Sequence, residues 1–377
     1  LHDHYFTYLG VERRRRGLIA RLGLAPWGSG ISPHEETSSR DKSDRLQLVR
    51  ACGANFSPLF CLYQDTDKEI ASILSEAAQD SPIISSPSMG EDKGEGGERH
   101  VIWAITDPKM QQKLSALSRQ VGSIIMADGH HRYETSLAYQ QERARLSLSS
   151  GPSLNEHSAE TCLVQEEAFN YVMVTLVELS DPGLFIFPIH RLVRSVKHLS
   201  SSTPFVVLRG RSQQRTASST AGNSWSESED TFSYLMSRLE DFFILELVPL
   251  GGSALQSLLP VLKDHLFGVL GLKRGYLVLL KKRQDISLKD MMPVNRSQVY
   301  QKFDVSILNH VILDKILGLT TDEENTVYTV DATAAYQQVE RGEYQLAFLV
   351  NPPQPETIKT VNQPAARRPR KSTYFYP

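Results

Sequence analysis

The sequence predicts an α/β or α+β fold with a mixed sheet and flanking helices. Apolar runs of strand length alternate with segments of helical periodicity along the chain, a pattern typical of mixed α/β architectures. Gly- and Pro-containing turn signals separate these segments, and we find no fixed-period repeat. The 377 residues are enough for two or three domains.

Composition excludes several classes of protein. Hydrophobic residues make up 40% and charged residues 22%, and the formal net charge is -2, so a nucleic-acid partner is not expected. The three cysteines (Cys52, Cys61 and Cys162) have no metal-ligand spacing and indicate a reducing compartment. No apolar run approaches the roughly 20 residues of a membrane helix, and no signal segment opens the chain. We expect a soluble, cytoplasmic protein without a membrane partner; its oligomeric state stays open.

The first third of the chain predicts a hairpin, a helix and a strand. "YFTYLGVERRRRGLIARLGL" reads as two strands, with Arg13–Arg16 as their solvated turn and a phosphate-binding patch as the alternative. A polar loop then leads into a helix with Leu46 and Val49 at helical spacing and Gly53 as its end. "FSPLFCLYQD" is a short apolar strand.

The middle of the chain alternates flexible and regular segments. Residues 81–99 and "LSLSSGPSLNEHSAE" have the composition of disordered loops or insertions. Between them, "HVIWAIT" predicts a strand, and "DPKMQQKLSALSRQV" predicts a helix with Asp107 as N-cap and Pro108 in its first turn. "FNYVMVTLVELSDPGLFIFPIHRLV" predicts a buried strand, a Pro-Gly turn and a second strand that ends at His190-Arg191.

A low-complexity stretch divides the chain into two predicted domains. We place an N-terminal α/β domain at 1–197, a linker or insertion at 198–230 and a C-terminal α/β portion at 231–377. The last portion contains a helix and strand, a hairpin turning at Lys273–Gly275, the amphipathic helix "SILNHVILDKILGL" and an apolar strand. Because the chain begins at Leu1 within strand-like sequence and stops at "KSTYFYP", we expect a fragment of a longer protein.

The segment "IIMADGHHRYETSLAY" concentrates the chemistry. A buried strand at 121–127, the turn pair Asp128-Gly129 and a following helix would offer an anion the free N–H groups of a helix start. Arg132 adds a donor fork for phosphate, His130 and His131 can donate to phosphate oxygens or move protons, and Asp128 can hold Mg²⁺. The alternatives are a zinc or iron site, or a structural turn in which Asp128 caps the helix.

Other clusters are weaker. In the loop "HEET", Glu35 beside His34 can act as a general base, with Thr37 nearby; a solvated acidic loop is the alternative. His190-Arg191 follows a strand. Near the end of the chain, Lys371, Ser372 and Thr373 combine a cation with hydroxyls that suit phosphate, or form a plain surface tail, and Arg45 is a further candidate.

These motifs together resemble a known family. "ADGHHRYETSLAYQ", "PHEETSSRDKSDRLQLVRACGANFSPLFCLY", "PIHRLV" and "RKSTYFYP" are similar in order and spacing to the bacterial and archaeal domain of unknown function family 1015. That family begins earlier, with a "PPYDV"-like segment that this chain lacks, which also favours a fragment. The Asp-Gly-His-x-Arg loop is similar to that of the ParB/sulfiredoxin-like superfamily, which includes nucleotide-binding partition proteins and kinases of free serine.

The resemblance implies a ParB/sulfiredoxin-like catalytic core in which residues 128–132 bind phosphate and Mg²⁺. Glu35 takes the role of base by analogy. We therefore hypothesise a phosphotransferase that acts on a small hydroxylated metabolite such as free serine, with ATP, ADP or pyrophosphate as co-substrate. The alternatives are a nucleotide-binding regulatory protein and a metal-dependent hydrolase that uses His34, His130, His131 and His190.

Overall fold

The chain has the mixed α/β architecture that the sequence predicts. The computed structural model describes residues 1–8, 11–33, 40–86, 98–149, 167–196, 226–250, 262–319, 325–353, 369 and 371–376. Within these ranges, no helix is both long and apolar enough to cross a membrane.

Two compact units make up the chain. The first comprises Leu1–Ile186, Pro353–Arg370 and Phe375–Pro377, and the second comprises Phe187–Pro352 and Lys371–Tyr374. The domains placed at 1–197, 198–230 and 231–377 stay predictions. A helix already begins at Ser226, inside the predicted linker.

An eight-stranded sheet is the centre of the first unit. Its strands are β1 (His2–Tyr8), β2 (Val11–Gly23), β3 (Ile31–Pro33), β4 (Leu59–Tyr63), β5 (Ile84–Ser85), β6 (Arg99–Ile102), β7 (Ile124–Asp128) and β8 (Tyr171–Glu178). They lie in the order β3-β7-β4-β8-β2-β1-β6-β5. The β3–β7 and β4–β8 pairs are parallel, and the other pairs are antiparallel.

The helices of this unit follow the sequence signals closely. They are α1 (Arg40–Cys52), α2 (Glu69–Ala77), α3 (Pro108–Ser118) and α4 (His130–Ser149), with a 3₁₀ turn at Ala168–Asn170. The predicted cap of α3 is confirmed, because the Asp107 carboxylate accepts hydrogen bonds from the backbone N–H groups of Lys109 and Met110. Gly53 follows α1 with φ of 59°, as expected for a glycine that ends a helix.

The arginine run is not a turn. The β1–β2 register pairs Tyr8 with Val11, so Arg13–Arg16 lie inside β2, opposite the middle of β1. Strand alternation then places Arg15 on one face of the sheet and Arg16 on the other. Arg15 is buried, and Arg16 forms an ion pair with Asp3. The turn prediction was wrong because a charged side chain can lie inside a sheet when it has a buried partner. Asp3 is that partner for Arg16.

The core of the first unit lies on both faces of this sheet. One cluster joins strand residues such as Leu59, Met126 and Val174 to the apolar face of α2 and to Tyr133 of α4. A smaller cluster on the strands includes Leu62, Ile125 and Val177, with Phe375 from the end of the chain. The central strands β4 and β7 are therefore buried, and the link from β7 to α4 is held by packing on both sides.

The second unit contains a six-stranded sheet. Its strands are β10 (His190–Val193), β11 (Phe243–Pro249), β12 (Phe267–Leu270), β13 (Tyr276–Lys282), β14 (Thr326–Thr329) and β15 (Leu346–Val350). The order is β11-β13-β12-β15-β10-β14, and each neighbouring pair is antiparallel. The predicted hairpin at 267–282 is confirmed as β12 and β13. β9 (Phe185–Phe187) and β16 (Tyr374–Tyr376) form a separate two-stranded sheet.

The second unit also contains helices, and two expectations about its elements are corrected. The helices are α5 (Ser226–Glu240), α6 (Gln298–Lys302), α7 (Asp304–Ile307), a π-helix (Leu308–Ile316) and α8 (Ala332–Glu340), with 3₁₀ turns at Leu262–Asp264 and Lys289–Met291. The predicted amphipathic helix winds as α7 and the π-helix, with its apolar residues in the core. His190 and Arg191 begin β10 instead of ending a strand, because the run after the Pro-Gly turn is broken into β9 and β10.

Candidate functional site

A strand, a single glycine and a helix form the predicted loop. β7 ends at Asp128, Gly129 has φ of 94°, and α4 begins at His130. A Cβ atom on Gly129 would lie 2.6 Å from Leu59 Cδ2 and 3.0 Å from Arg132 Nη2. Glycine is therefore required by both the backbone conformation and the space. The predicted strand–turn–helix geometry is confirmed, with the strand at 124–128 instead of 121–127.

Asp128 at the end of β7 pairs with Arg132 in the first turn of α4. Arg132 Nη2 donates to Asp128 Oδ2 at 2.9 Å. The Asp128 side chain is 70% exposed and the Arg132 side chain 25%. The pair therefore presents a carboxylate to solvent from a fixed position, where it could ligate a hard cation such as Mg²⁺.

Sequence reasoning missed the partners that hold Arg132. Its Nη1 donates to the backbone oxygen of Ser57 at 3.0 Å, to that of Pro58 at 2.9 Å, and to Ser57 Oγ. These residues precede β4, which pairs with β7. Their only signal was a Ser-Pro dipeptide before an apolar strand, which is a common loop pattern. Since most of the guanidinium is in contact with this loop, Arg132 connects the start of α4 to the neighbouring strand.

The two histidines of the loop have different surroundings. His130 is 8% exposed, and its ring centroid lies 6.3 Å from that of Trp27. His131 is half-buried, and its backbone oxygen accepts a hydrogen bond from Thr135 Oγ1 at 2.7 Å. Neighbouring residues of a helix point about 100° apart, so the two imidazoles diverge.

The segment at 24–27 braces the start of α4. The Tyr133 hydroxyl donates to the backbone oxygen of Ala25 at 2.6 Å and accepts from its N–H at 3.1 Å. Trp27 Nε1 donates to Glu134 at 3.2 Å, and the Trp27 and Tyr133 rings are 4.4 Å apart. The helix start is thus fixed by contacts far away in sequence, as a preorganised site requires.

The candidate base cannot be placed. His34, Glu35 and Thr37 of the "HEET" loop lie outside the described residues. Arg45 is exposed on α1. α1 itself is joined to α4 by an ion pair between Arg50 and Glu142, with Nη2 and Oε2 2.9 Å apart.

The remaining candidates lie in the second unit. His190 is fully buried, and its Nδ1 accepts a hydrogen bond from Val350 N at 3.2 Å. Arg191 is 1% exposed and donates to the backbone oxygens of Ile189 and Lys371. Arg191 therefore fixes the backbone of the "KST" motif.

The two hydroxyl-bearing residues of the "KST" motif are buried or half-buried. Ser372 is 1% exposed, Thr373 is half-buried, and Lys371 has φ of 57° with its Nζ 5.9 Å from the Tyr328 ring centroid. A phosphate-binding role for these three residues stays a prediction.

The hydrolase alternative finds no support in the described residues. Neither the pair His130 and His131 nor His190 belongs to a set of three ligand atoms close enough for one metal ion. His34, the fourth candidate ligand, lies outside the described residues.

Comparison with known proteins identifies the family. A family model described as "Protein of unknown function (DUF1015)" matches residues 2–306. The chain belongs to the DUF1015 family. The match contains Asp128–Arg132 and His190-Arg191 and ends before the "KST" motif. No curated protein matches the sequence of this DUF1015 member.

Solved structures similar to this DUF1015 chain include free serine kinases. A free serine kinase in complex with AMP is 12% identical, with a TM-score of 0.36 over 96% of this chain and 87% of that one. A structure of a free serine kinase variant in complex with ADP is 10% identical, with a TM-score of 0.38 over the same shares. A conserved hypothetical protein from Pyrococcus furiosus is 11% identical, with a TM-score of 0.34 over 96% of this chain and 90% of that one.

Proposed function

We propose that this DUF1015 protein is a phosphotransferase that transfers a phosphoryl group to or from a small hydroxylated metabolite, with free serine as the first substrate to test. The observation that carries the proposal is the Asp128–Arg132 loop, in which an exposed carboxylate is held at the start of a 20-residue helix. Phosphoryl transfer needs positioned cations, backbone donors and a metal more than covalent chemistry.

Each part of the loop has a role in this proposal. The start of α4 is the positive end of the helix dipole, which favours a bound phosphate. Asp128 would hold Mg²⁺, which would supply positive charge to the phosphate group. Arg132 holds Asp128 and the Ser57–Pro58 segment in place and contributes positive charge. His130 and His131 donate to phosphate or move the proton of the hydroxyl.

We infer the co-substrate and the catalytic base from the resemblance of the loop to that of the ParB/sulfiredoxin-like kinases. ATP, ADP and pyrophosphate are the candidate phosphate partners, and Glu35 is the candidate base that accepts the proton of the substrate hydroxyl. In a transfer from ATP to serine, the serine oxygen forms the new bond to phosphorus, the bond to ADP breaks, and the hydroxyl proton passes to the base.

The test is calorimetric binding of ATP, ADP and pyrophosphate, each with and without Mg²⁺, to wild type, Asp128→Asn and a control. Asp128→Asn keeps the size of the side chain but removes its charge. Asp241→Asn is the matched control, because Asp241 is also an exposed partner of an arginine on a helix, with Arg238 Nη1 2.8 Å away. We expect Mg²⁺-dependent binding to wild type, at least about tenfold weaker binding to Asp128→Asn, and no change in the control.

Turnover then tests the reaction itself. The phosphate partner that binds is incubated with serine, and phosphoserine is measured by phosphorus NMR, in both directions of the reaction. Wild type and Glu35→Gln are compared, and we expect the variant to bind the partner but to lose turnover. Wild type that binds none of the phosphate ligands, or Asp128→Asn that binds as tightly as wild type, would overturn the phosphate site.

A further inference from the structure

Three histidines of β1 and β6 come together with Glu98, the residue before β6, away from the loop. His2 and His4 alternate along β1 and therefore share one face of the sheet. The β1–β6 register places His100 directly opposite His4. Glu98 lies two residues before His100, on the same side. The sequence gives no sign of this group. His2 is 98 positions from His100, and only the strand register brings the two segments together.

The distances within the group suit a common ligand. One side-chain ligand atom from each of His4, Glu98 and His100 lies within 4.8 Å of the other two. His4 Nε2 is 3.3 Å from Glu98 Oε2. His2 Nε2 is 3.0 Å from His100 Nδ1, and the rings of His4 and His100 stack with centroids 4.3 Å apart.

One ligand atom lacks a hydrogen bond although it is buried. His4 is 2% exposed, and its Nε2 has no hydrogen-bond partner in the described part of the chain, since the geometry to Glu98 does not satisfy one. A buried polar atom without a hydrogen bond is unfavourable, and a metal ion would satisfy it. The Glu98 side chain is 43% exposed, so an ion can reach this nitrogen from solvent.

Arg15 is the charge that opposes a cation here. Its Nη2 is 3.5 Å from His4 Nδ1, at the ring nitrogen away from Glu98. The guanidinium also donates to the backbone oxygen of Tyr376 and lies over the Phe60 ring, 5.0 Å from its centroid. In the competing arrangement, the Nε2–H group of His4 donates to Glu98 Oε2 and no ion binds. The orphaned Nε2 and the third ligand on β6 favour the metal.

We propose that His4, Glu98 and His100 bind one divalent transition-metal ion of the zinc class. Two imidazoles and one carboxylate are a ligand set that zinc accepts with a further position open, whereas Mg²⁺ and Ca²⁺ prefer oxygen ligands alone. His2 is the hydrogen-bond partner that orients His100, the role that outer residues play around metal-bound histidines.

This metal site is separate from the phosphate loop. The sheet order β7-β4-β8-β2-β1 leaves three strands between the loop strand and β1. The inference therefore stands without the proposed phosphotransferase activity, and its test uses no phosphate compound.

The test is a Zn²⁺ titration of chelator-treated protein against a competing dye, with Co²⁺ as a spectroscopic probe. Glu98→Gln and His100→Gln each remove one ligand at a partly exposed position. Glu246→Gln is the matched control, because Glu246 Oε2 lies 3.1 Å from His265 Nε2 without a third ligand group among the described residues. The protein carries no polyhistidine tag, and circular dichroism confirms that each variant is folded.

We expect one Zn²⁺ per chain, at least about tenfold weaker binding in both ligand variants, and wild-type binding in the control. Bound Co²⁺ should show the visible absorption of a site with nitrogen ligands, and excess Mg²⁺ should not displace Zn²⁺. Wild type that binds no Zn²⁺, ligand variants that bind it as tightly as wild type, or displacement by equimolar Mg²⁺ would overturn the proposal.

Discussion

Tyr133 connects the candidate loop to a segment more than a hundred residues earlier. Its side chain is 0% exposed, and its hydroxyl satisfies both the N–H and the C=O of Ala25. The four-residue spacing of Tyr133 and Leu137 places both side chains on one face of α4. It does not reveal the backbone groups of Ala25, because a hydroxyl partner 108 positions away leaves no periodic signal.

Removing this hydroxyl should destabilise the protein without changing its fold. Tyr133→Phe leaves the ring in place but deprives two backbone groups of their partner, so we expect the free energy of unfolding to fall by about 1–3 kcal/mol. Denaturant unfolding measures this. Tyr139→Phe on the same helix is the control, because the Tyr139 hydroxyl makes no hydrogen bond to any described residue. Equal stability of the two variants would show that the Ala25 contacts contribute nothing.

At the level of elements, β2 shows where local sequence reasoning ends. The β12–β13 hairpin, the Asp107 cap of α3 and the glycine at the end of α1 follow from short-range chemistry, and each was predicted. The position of Arg13–Arg16 inside β2 depends on Asp3 and His4 across the register, which a reading of the run alone does not include. In the same way, the strand–glycine–helix loop could be predicted, whereas the anchoring of Arg132 by Ser57 and Pro58 could not.

The Arg16–Asp3 pair should be a strong contributor to the stability of the β1–β2 hairpin. Arg16 Nε and Nη2 donate to the two Asp3 oxygens at 2.7 and 2.6 Å, and the Asp3 side chain is 0% exposed. Arg16→Met keeps the apolar stem and leaves the buried carboxylate without this partner. We expect a loss of about 3 kcal/mol in the free energy of unfolding, measured in urea with a metal chelator present.

An exposed pair of the same chemistry is the control. Arg283 binds Asp285 through the same two nitrogens at 3.2 and 2.8 Å, but its side chain is 39% exposed and that of Asp285 is 64% exposed. Exposed pairs contribute little, so Arg283→Met should leave stability almost unchanged. A loss in Arg16→Met no larger than in Arg283→Met would show that the buried pair does not stabilise the hairpin.

For the whole molecule, the sequence predicted the helices and strands far better than it predicted which strands lie next to each other in the sheets. The mixed architecture is confirmed, but β1 lies sixth in the order of its sheet and β7 second. Strand pairing over such separations depends on which buried faces fit together, and a period of two along a strand does not encode it. The group at His4 arises from such pairing, and the contact of Arg191 with the "KST" backbone joins residues 180 positions apart.

Burial of a histidine by strands distant in sequence makes the free energy of unfolding depend on pH. His190 in the second unit is the clearest case. Its Nδ1 accepts from Val350 N, and its Nε2 has no hydrogen-bond partner in the described part of the chain. Burial, followed by the charge of Arg191 and opposed by that of Asp331, lowers its pKa to about 4. The unfolded chain takes up this proton near pH 6.5. Between pH 6.5 and 4, the unfolded state therefore binds more protons, and the free energy of unfolding falls as the pH falls.

Replacing this imidazole should flatten the pH dependence. In His190→Gln an amide oxygen can still accept from Val350 N, but no group titrates at this position. From pH 7 to pH 4, wild type should lose about 3 kcal/mol more of its free energy of unfolding than the variant, and above pH 7 the two curves should run parallel. Urea unfolding at intervals of one pH unit, with a metal chelator, measures the difference. The lowered pKa values of His2 and His4 act in the same direction in both proteins and cancel in this comparison. Parallel curves down to pH 4 would show that His190 takes up its proton as readily in the folded chain as in the unfolded one, against the burial that the β10–β15 pairing imposes.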